Sequence, residues 1–149
     1  MSNSHKIILG RSMEATAILH DRAEDFLKQN HVPDDDIFAI LLGIEEIYTN
    51  FVKYNPDGSE EIEIEIVCHP DRVVVVLIDF DSHHFDPREA PPAKLEMPLH
   101  ERKPGGLGIH IVKQMMNKVE YSYAGRVSKI TLTRVLGGSG LSNEPRSPR

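Results

Sequence analysis

The chain has one cysteine, Cys68, and no tryptophan in its 149 residues. A lone thiol closes no internal disulfide, which fits a reduced, cytoplasmic setting rather than an oxidising one. Long apolar runs are missing too. The longest, Val73 to Ile78, has six residues, against the roughly 20 of a membrane-crossing helix. No basic segment leads into an apolar one at the start, so no secretory signal is read. Nor is there an excess of positive charge. Lys and Arg number 17 against 23 Asp and Glu, for a net charge of -6 and an isoelectric point near 5.7. Coating DNA or RNA needs a basic stripe, so that class is excluded. What is present is ordinary: 40% hydrophobic and 27% charged residues, which excludes wholesale disorder and a fibrous repeat. The length corresponds to one domain, expected over residues 1–136. The Gly-, Ser-, Pro- and Arg-rich stretch 137–149 is expected to be a disordered tail.

Local patterns then place the elements. Residues 6–10 read as a short strand. Ser12 is an N-cap candidate for a helix to Gln29, with Ala15, Ile18, Leu19, Arg22 and Phe26 on one face. Asp34, Asp35 and Asp36 open a second helix, complementing its dipole, and Ile37, Ile40, Leu41, Ile44, Ile47, Tyr48 and Phe51 form its apolar stripe. Asn55-Pro56-Asp57-Gly58 reads as a turn. Glu61 to Ile66 alternates with the period of a strand, and Arg72 to Phe80 reads as a buried central strand. Residues 81–104 hold prolines 87, 91, 92, 98 and 104 with little periodicity, as in a binding loop or lid. Gly105-Gly106-Leu107-Gly108 opens a third helix with Ile109, Val112 and Met116 inward. Strands over Val119–Ala124 and Val127–Val135 close the domain. The order predicts an α+β, two-layer sandwich with a mixed, mostly antiparallel sheet and helices on one face.

Three groups have chemical potential. Glu46 and Asn50, four apart on one helix, project together, with Glu45 and Lys53 beside them. A carboxylate, an amide oxygen and an ammonium suit a magnesium ion and a phosphate, and equally a solvated polar face. Asp79, leaving a buried strand, needs a donor, either a nearby amide or a ligand. Glycines 105, 106 and 108 at a helix start offer amides to an anion, without the Gly-Lys-Ser/Thr of a P-loop. The histidines, 83 and 84 included, lack the spacing of a zinc site.

In sequence order, Glu46-x-x-x-Asn50, Asp79 closing a strand, Phe85-Asp86-Pro87, and Gly105-Gly106-Leu107-Gly108-Ile109-His110-Ile111-Val112 resemble the anti-sigma-factor serine kinases. These anti-sigma regulatory factors belong to the gyrase and histidine-kinase ATPase superfamily. The resemblance runs from about residue 6 to 135 and implies the Bergerat-type ATP-binding fold. It implies Glu46 as general base, Asn50 as Mg²⁺ ligand and Lys53 near the phosphates. It further implies Asp79 as acceptor for the adenine amino group, Ser128 near adenine, and Gly105, Gly106, Leu107 and Gly108 around the phosphates beneath an ATP lid over 81–104. The implied activity is ATP- and Mg²⁺-dependent phosphorylation of a serine on a small anti-anti-sigma partner of the STAS type. A sigma factor and a second copy of the chain are further implied partners.

The chain departs from the family pattern after Asp79. Where relatives have x-Gly, the triplet is Asp79-Phe80-Asp81, and Tyr54 stands where histidine is usual. An aspartate at 81 adds negative charge near a polyanionic ligand, so the sequence predicts weakened ATP binding that Asp81→Gly would restore. Alternatives are a catalytically weak or inactive module that sequesters a regulator without phosphotransfer, and plain ATP hydrolysis driving a lid.

Overall fold

The computed structural model describes residues 2–55, 58, 61–82 and 106–137. Strand β1 (Asn3–Leu9) leads through one 3-10 turn (Met13–Ala15) into α1 (Thr16–Gln29) and α2 (Asp34–Tyr54). Strands β2 (Ile62–Cys68) and β3 (Arg72–Asp79) follow, then α3 (Gly106–Met115), β4 (Lys118–Ala124) and β5 (Val127–Val135). The strands lie in the order β1-β2-β3-β5-β4. All four pairings are antiparallel, so the expected mixed sheet is wholly antiparallel among the described residues. Two connections are too short for anything else. At 69–71 the His69 amide donates to the Arg72 carbonyl at 2.8 Å. Between β4 and β5, Gly125 (φ 56°) and Arg126 (φ 69°) make a two-residue turn, the backbone twist that suits a tight hairpin.

Strand alternation sends one sheet face to the helices. Ile62, Ile64, Ile66 and Cys68 from β2, Val73, Val75 and Leu77 from β3, and Ile130 and Leu132 from β5 are all buried there. Burial pushes the Cys68 thiol up to about 11, far from a reactive thiolate at neutral pH. β3 is central as expected, but Val74, Val76 and Ile78 on its other face are only half-buried. The whole predicted stripe of α2 is buried. In α1 the expected face holds in part: Leu19 is buried and Ala15 and Phe26 pack partly buried against the core, but Ala23 and Leu27 complete the buried seam while Ile18 and Arg22 are exposed. The seam follows residues four apart, with small Ala23 between two leucines, and Ile18 lies one position off it. Ser12 does cap, but it caps the 3-10 turn, its Oγ accepting from the Glu14 amide at 3.1 Å. β1 begins at Asn3 rather than at residue 6, because pairing with β2 uses backbone groups that polar Asn3, Ser4 and His5 also possess.

Two contacts lock helices to sheet. Arg134 and Asp36, both buried, pair at 2.8 Å, and Arg134 also donates to the Met115 carbonyl at 2.6 Å. Asp36 thus serves more than the helix dipole. Gly43 lies where a Cβ would come 3.2 Å from Leu132 and 3.4 Å from Met116. Gly43→Val should therefore cost about 1–3 kcal/mol through overpacking. Urea denaturation checks this, and an unchanged midpoint would show that the α2 seam has spare room.

Candidate functional site

Glu46 and Asn50 come together as the four-residue spacing requires. The Asn50 amide nitrogen donates to the Glu46 carboxylate at 2.7 Å and to the Glu46 carbonyl at 2.6 Å. Asn50 is fully buried, and its Oδ1 is a buried acceptor with no partner among the described residues. Leaving such an atom unpaired costs about 1–3 kcal/mol, so it calls for an explanation. A carboxylate next to an orphan amide oxygen is a hard-oxygen donor set, and it fits a magnesium ion. One turn further on, burial and the nearby Glu46 charge push the Tyr54 hydroxyl above its ordinary pKa. Lys53, in the last turn of α2, is exposed and not drawn into this pair.

Asp79 is fully buried, and the protein donors that meet it are a guanidinium and a backbone amide. The Arg11 guanidinium grips both carboxylate oxygens, Nη1 on Oδ2 at 3.0 Å and Nη2 on Oδ1. The Asp81 amide adds a third bond to Oδ1 at 3.0 Å. Arg11 also donates to the carbonyls of Asp81 (3.1 Å) and Asn55 (3.5 Å), while the Asn55 side-chain amide donates to the same Asp81 carbonyl. Ser128 sits opposite Asp79 in the β3–β5 register and is buried, its hydroxyl bonded to that of Ser82 at 3.0 Å. Asp79 and Ser128 are therefore adjacent across the β3–β5 pairing, and Asn55, at the end of the helix bearing Glu46 and Asn50, meets Arg11 and the Asp81 carbonyl beside Asp79.

The Asp81 carboxylate does not stand as an unbalanced charge. Arg126 holds it through Nε at 2.8 Å and Nη2 at 2.6 Å. That pairing raises the guanidinium's own pKa further, first through the hydrogen bond to Asp81. Arg11 and Arg126 are the residues that sequence reasoning missed. A buried aspartate announces that it needs a donor, but only the fold shows that a residue 68 positions away supplies it. Gly106, Leu107 and Gly108 form the first turn of α3, with Ile109, Val112 and Met116 buried as predicted. Gly105, the Phe85-Asp86-Pro87 run, His83, His84, nearly all of the expected lid and all but Gly137 of the expected tail lie outside the described residues.

A histidine also flanks the Glu46 helix. His20 of α1 meets Glu45 of α2 at 2.5 Å and Glu24 at 3.8 Å. The hydrogen bond to Glu45, with the charges of Glu45, Glu24 and Asp21, raises the imidazole pKa against a smaller lowering by burial. Because the folded value lies above the unfolded 6.5, the contact stabilises fully below pH 6.5 and fades as pH rises through the folded value. The pair is substantially exposed, so the effect should be under about 1 kcal/mol. The melting temperature of Glu45→Gln should fall below that of the unsubstituted chain at pH 5.5–6 and converge with it by pH 8.5. Parallel pH profiles would show that the contact carries no charge.

With this geometry in view, the profile of the histidine kinase-like ATPase domain matches residues 11–134. The chain belongs to that family. Among curated relatives, serine-protein kinase RsbW from Halalkalibacterium halodurans is 31% identical over 91 residues, covering 58% of this chain and 55% of that one. Among solved structures, the RsbU and RsbW domains of a Mycobacterium tuberculosis protein superpose with a TM-score of 0.64 at 16% identity, covering 89% of this chain and 32% of that one. The SiaB–SiaC complex of Pseudomonas aeruginosa gives 0.57 at 14% identity, covering 89% and 88%. These two show the fold, a histidine kinase-like ATPase sandwich. The chain spans about half the length of RsbW and a third of the mycobacterial protein. For this ATPase family ATP is the implied ligand, and no helix among the described residues is long and apolar enough to cross a membrane.

Proposed function

We propose that this domain is an ATP- and Mg²⁺-dependent serine/threonine kinase of the anti-sigma regulatory type, acting in the cytoplasm on a small STAS-type anti-anti-sigma partner. The observation that carries the reading is the Glu46–Asn50 pair with its orphan Asn50 Oδ1. Asn50 would hold the metal, and Glu46, fixed by the Asn50 amide, would accept the proton of the incoming serine hydroxyl. Bound magnesium supplies neutralisation of phosphate charge. The first-turn amides of α3, at Gly106, Leu107 and Gly108, add donors and a favourable dipole for the phosphates, while Lys53 and Gly105 would complete the phosphate contacts. Asp79 would accept from the adenine amino group, with Ser128 beside it. The RsbW and SiaB–SiaC similarities support a protein partner. A second copy of the chain and a sigma factor are further partners on this reading.

A second reading, a partner-binding module with little or no phosphotransfer, is favoured by the Arg11–Asp79 pair. One experiment separates them: incubation with Mg-ATP and candidate anti-anti-sigma partners, followed by mass spectrometry for phosphoserine. A partner phosphorylated on serine supports the kinase. A partner that is bound but unmodified supports the module, and failure to engage any such partner overturns both.

A further inference from the structure

In this fold the nucleobase-side carboxylate is already occupied by the chain itself. Arg11 is nearly fully buried, its side chain 4% exposed, and it takes both oxygens of a carboxylate with no exposure at all. A bidentate guanidinium–carboxylate pair is stronger than a hydrogen bond from a neutral amino group. The guanidinium gives Asp79 two parallel N–H donors, whereas an adenine edge has one donor, its amino group, beside the acceptor N1.

The surroundings hold this arrangement in place. The Tyr48 hydroxyl, fixed on α2, donates to the Gly10 carbonyl at 2.6 Å and accepts from the Ser12 amide at 3.3 Å, clamping the backbone on both sides of Arg11. The Asn55 and Asp81 carbonyls take the remaining Nη hydrogens. Gly58 closes over the group, and a Cβ there would overlap the guanidinium. One atom is left over: Arg11 Nε is buried without a partner among the described residues. Among the described residues the charges of Arg11 and Asp79, and of Arg126 and Asp81, pair one to one.

We propose that Arg11 is an internal competitor for the nucleobase, and that its hold on Asp79 sets how tightly this domain binds ATP. This rests on Asp79 being the base acceptor in the kinase reading. Adenine then meets a competent site only in the fraction of molecules where the guanidinium has left the carboxylate, and apparent affinity falls by that fraction. The weak binding that the sequence pattern assigns to Asp81 is assigned here to Arg11, since Arg126 already neutralises Asp81.

The test is calorimetric titration of Mg-ATP into the full chain, Arg11→Met and Gly58→Ala, with thermal melts of each. Arg11→Met removes the competitor. Gly58→Ala keeps both charges but displaces the guanidinium, so it decides the matter if Arg11→Met fails to fold. Both variants should bind roughly tenfold tighter or more, and ATP should raise their melting temperatures more than that of the unsubstituted chain. Equal affinities in all three overturn this inference and leave the kinase reading standing. Weaker binding by Arg11→Met also overturns it, since Arg11 would then be stacking on the base rather than displacing it. No detectable binding by any of the three overturns both.

Discussion

Glu46→Gln should slow serine phosphorylation by roughly 10²–10⁴ while leaving nucleotide affinity nearly intact. The geometry makes this substitution clean. A glutamine oxygen can still accept from the Asn50 amide, and the Glu46 carbonyl that also anchors Asn50 belongs to the backbone. Asn50 would thus keep its orientation, and what disappears is the basicity of one carboxylate. The factor corresponds to about 3–5 kcal/mol of transition-state stabilisation. Paired single-turnover assays and Mg-ATP titrations measure the two quantities separately. Unchanged phosphotransfer would remove Glu46 from the role of base, and a matching loss of nucleotide affinity would make it a binding residue instead.

Asp79→Asn should destabilise the fold by several kcal/mol, about 3–5, in addition to weakening nucleotide binding. From sequence alone this carboxylate invites the opposite expectation, a change felt by ATP far more than by folding. The structure reverses the balance because Asp79 neutralises a buried arginine. An amide there would leave Arg11 a buried cation with only neutral acceptors, and its NH₂ group would face guanidinium N–H groups, donor against donor. The double variant Asp79→Asn/Arg11→Met removes both charges and should recover much of the loss, giving a strongly non-additive cycle. Chemical denaturation of the four chains measures it. Additive losses would show that the two side chains do not act as a pair.

The sequence made most of the fold legible because its signals were periodic. The α2 stripe from Ile37 to Phe51, the alternation of Ile62, Ile64 and Ile66, and the glycines before Ile109 each specify an element and a face. Its errors came where periodicity says little. In α1, helical spacing alone includes Ile18 and Arg22 in the face and omits Ala23 and Leu27, because spacing does not say which flank of the stripe meets α2, where the small Ala23 packs closely. In the site, Glu46 and Asn50 could be paired because four residues of helix bring them together. Arg11, Asp79, Asp81 and Arg126 are pairs made by tertiary structure, from the segment after β1, the end of β3 and the residues just past it, and the β4–β5 turn. No local rule links an arginine after one strand to an aspartate closing another. The order of motifs, rather than any one of them, carried the family resemblance.

The buried Arg134 also determines how α3 can move. It holds the Met115 carbonyl, Met116 is buried behind it, and the Asn117 amide donates to Thr133 at 2.8 Å while its side chain accepts from Val135 at 2.7 Å. The far end of α3 is thereby riveted to β5. A rearrangement at the glycine end must then be accommodated as a tilt about Met115, with the helix as a lever arm of about 15 Å. A shift of an ångström or two at the glycine end becomes a small rotation at the pivot, and the sheet beyond it feels almost no translation. Events at the glycines would therefore be transmitted towards the chain around Gly106 and not through β5 to the opposite face of the domain.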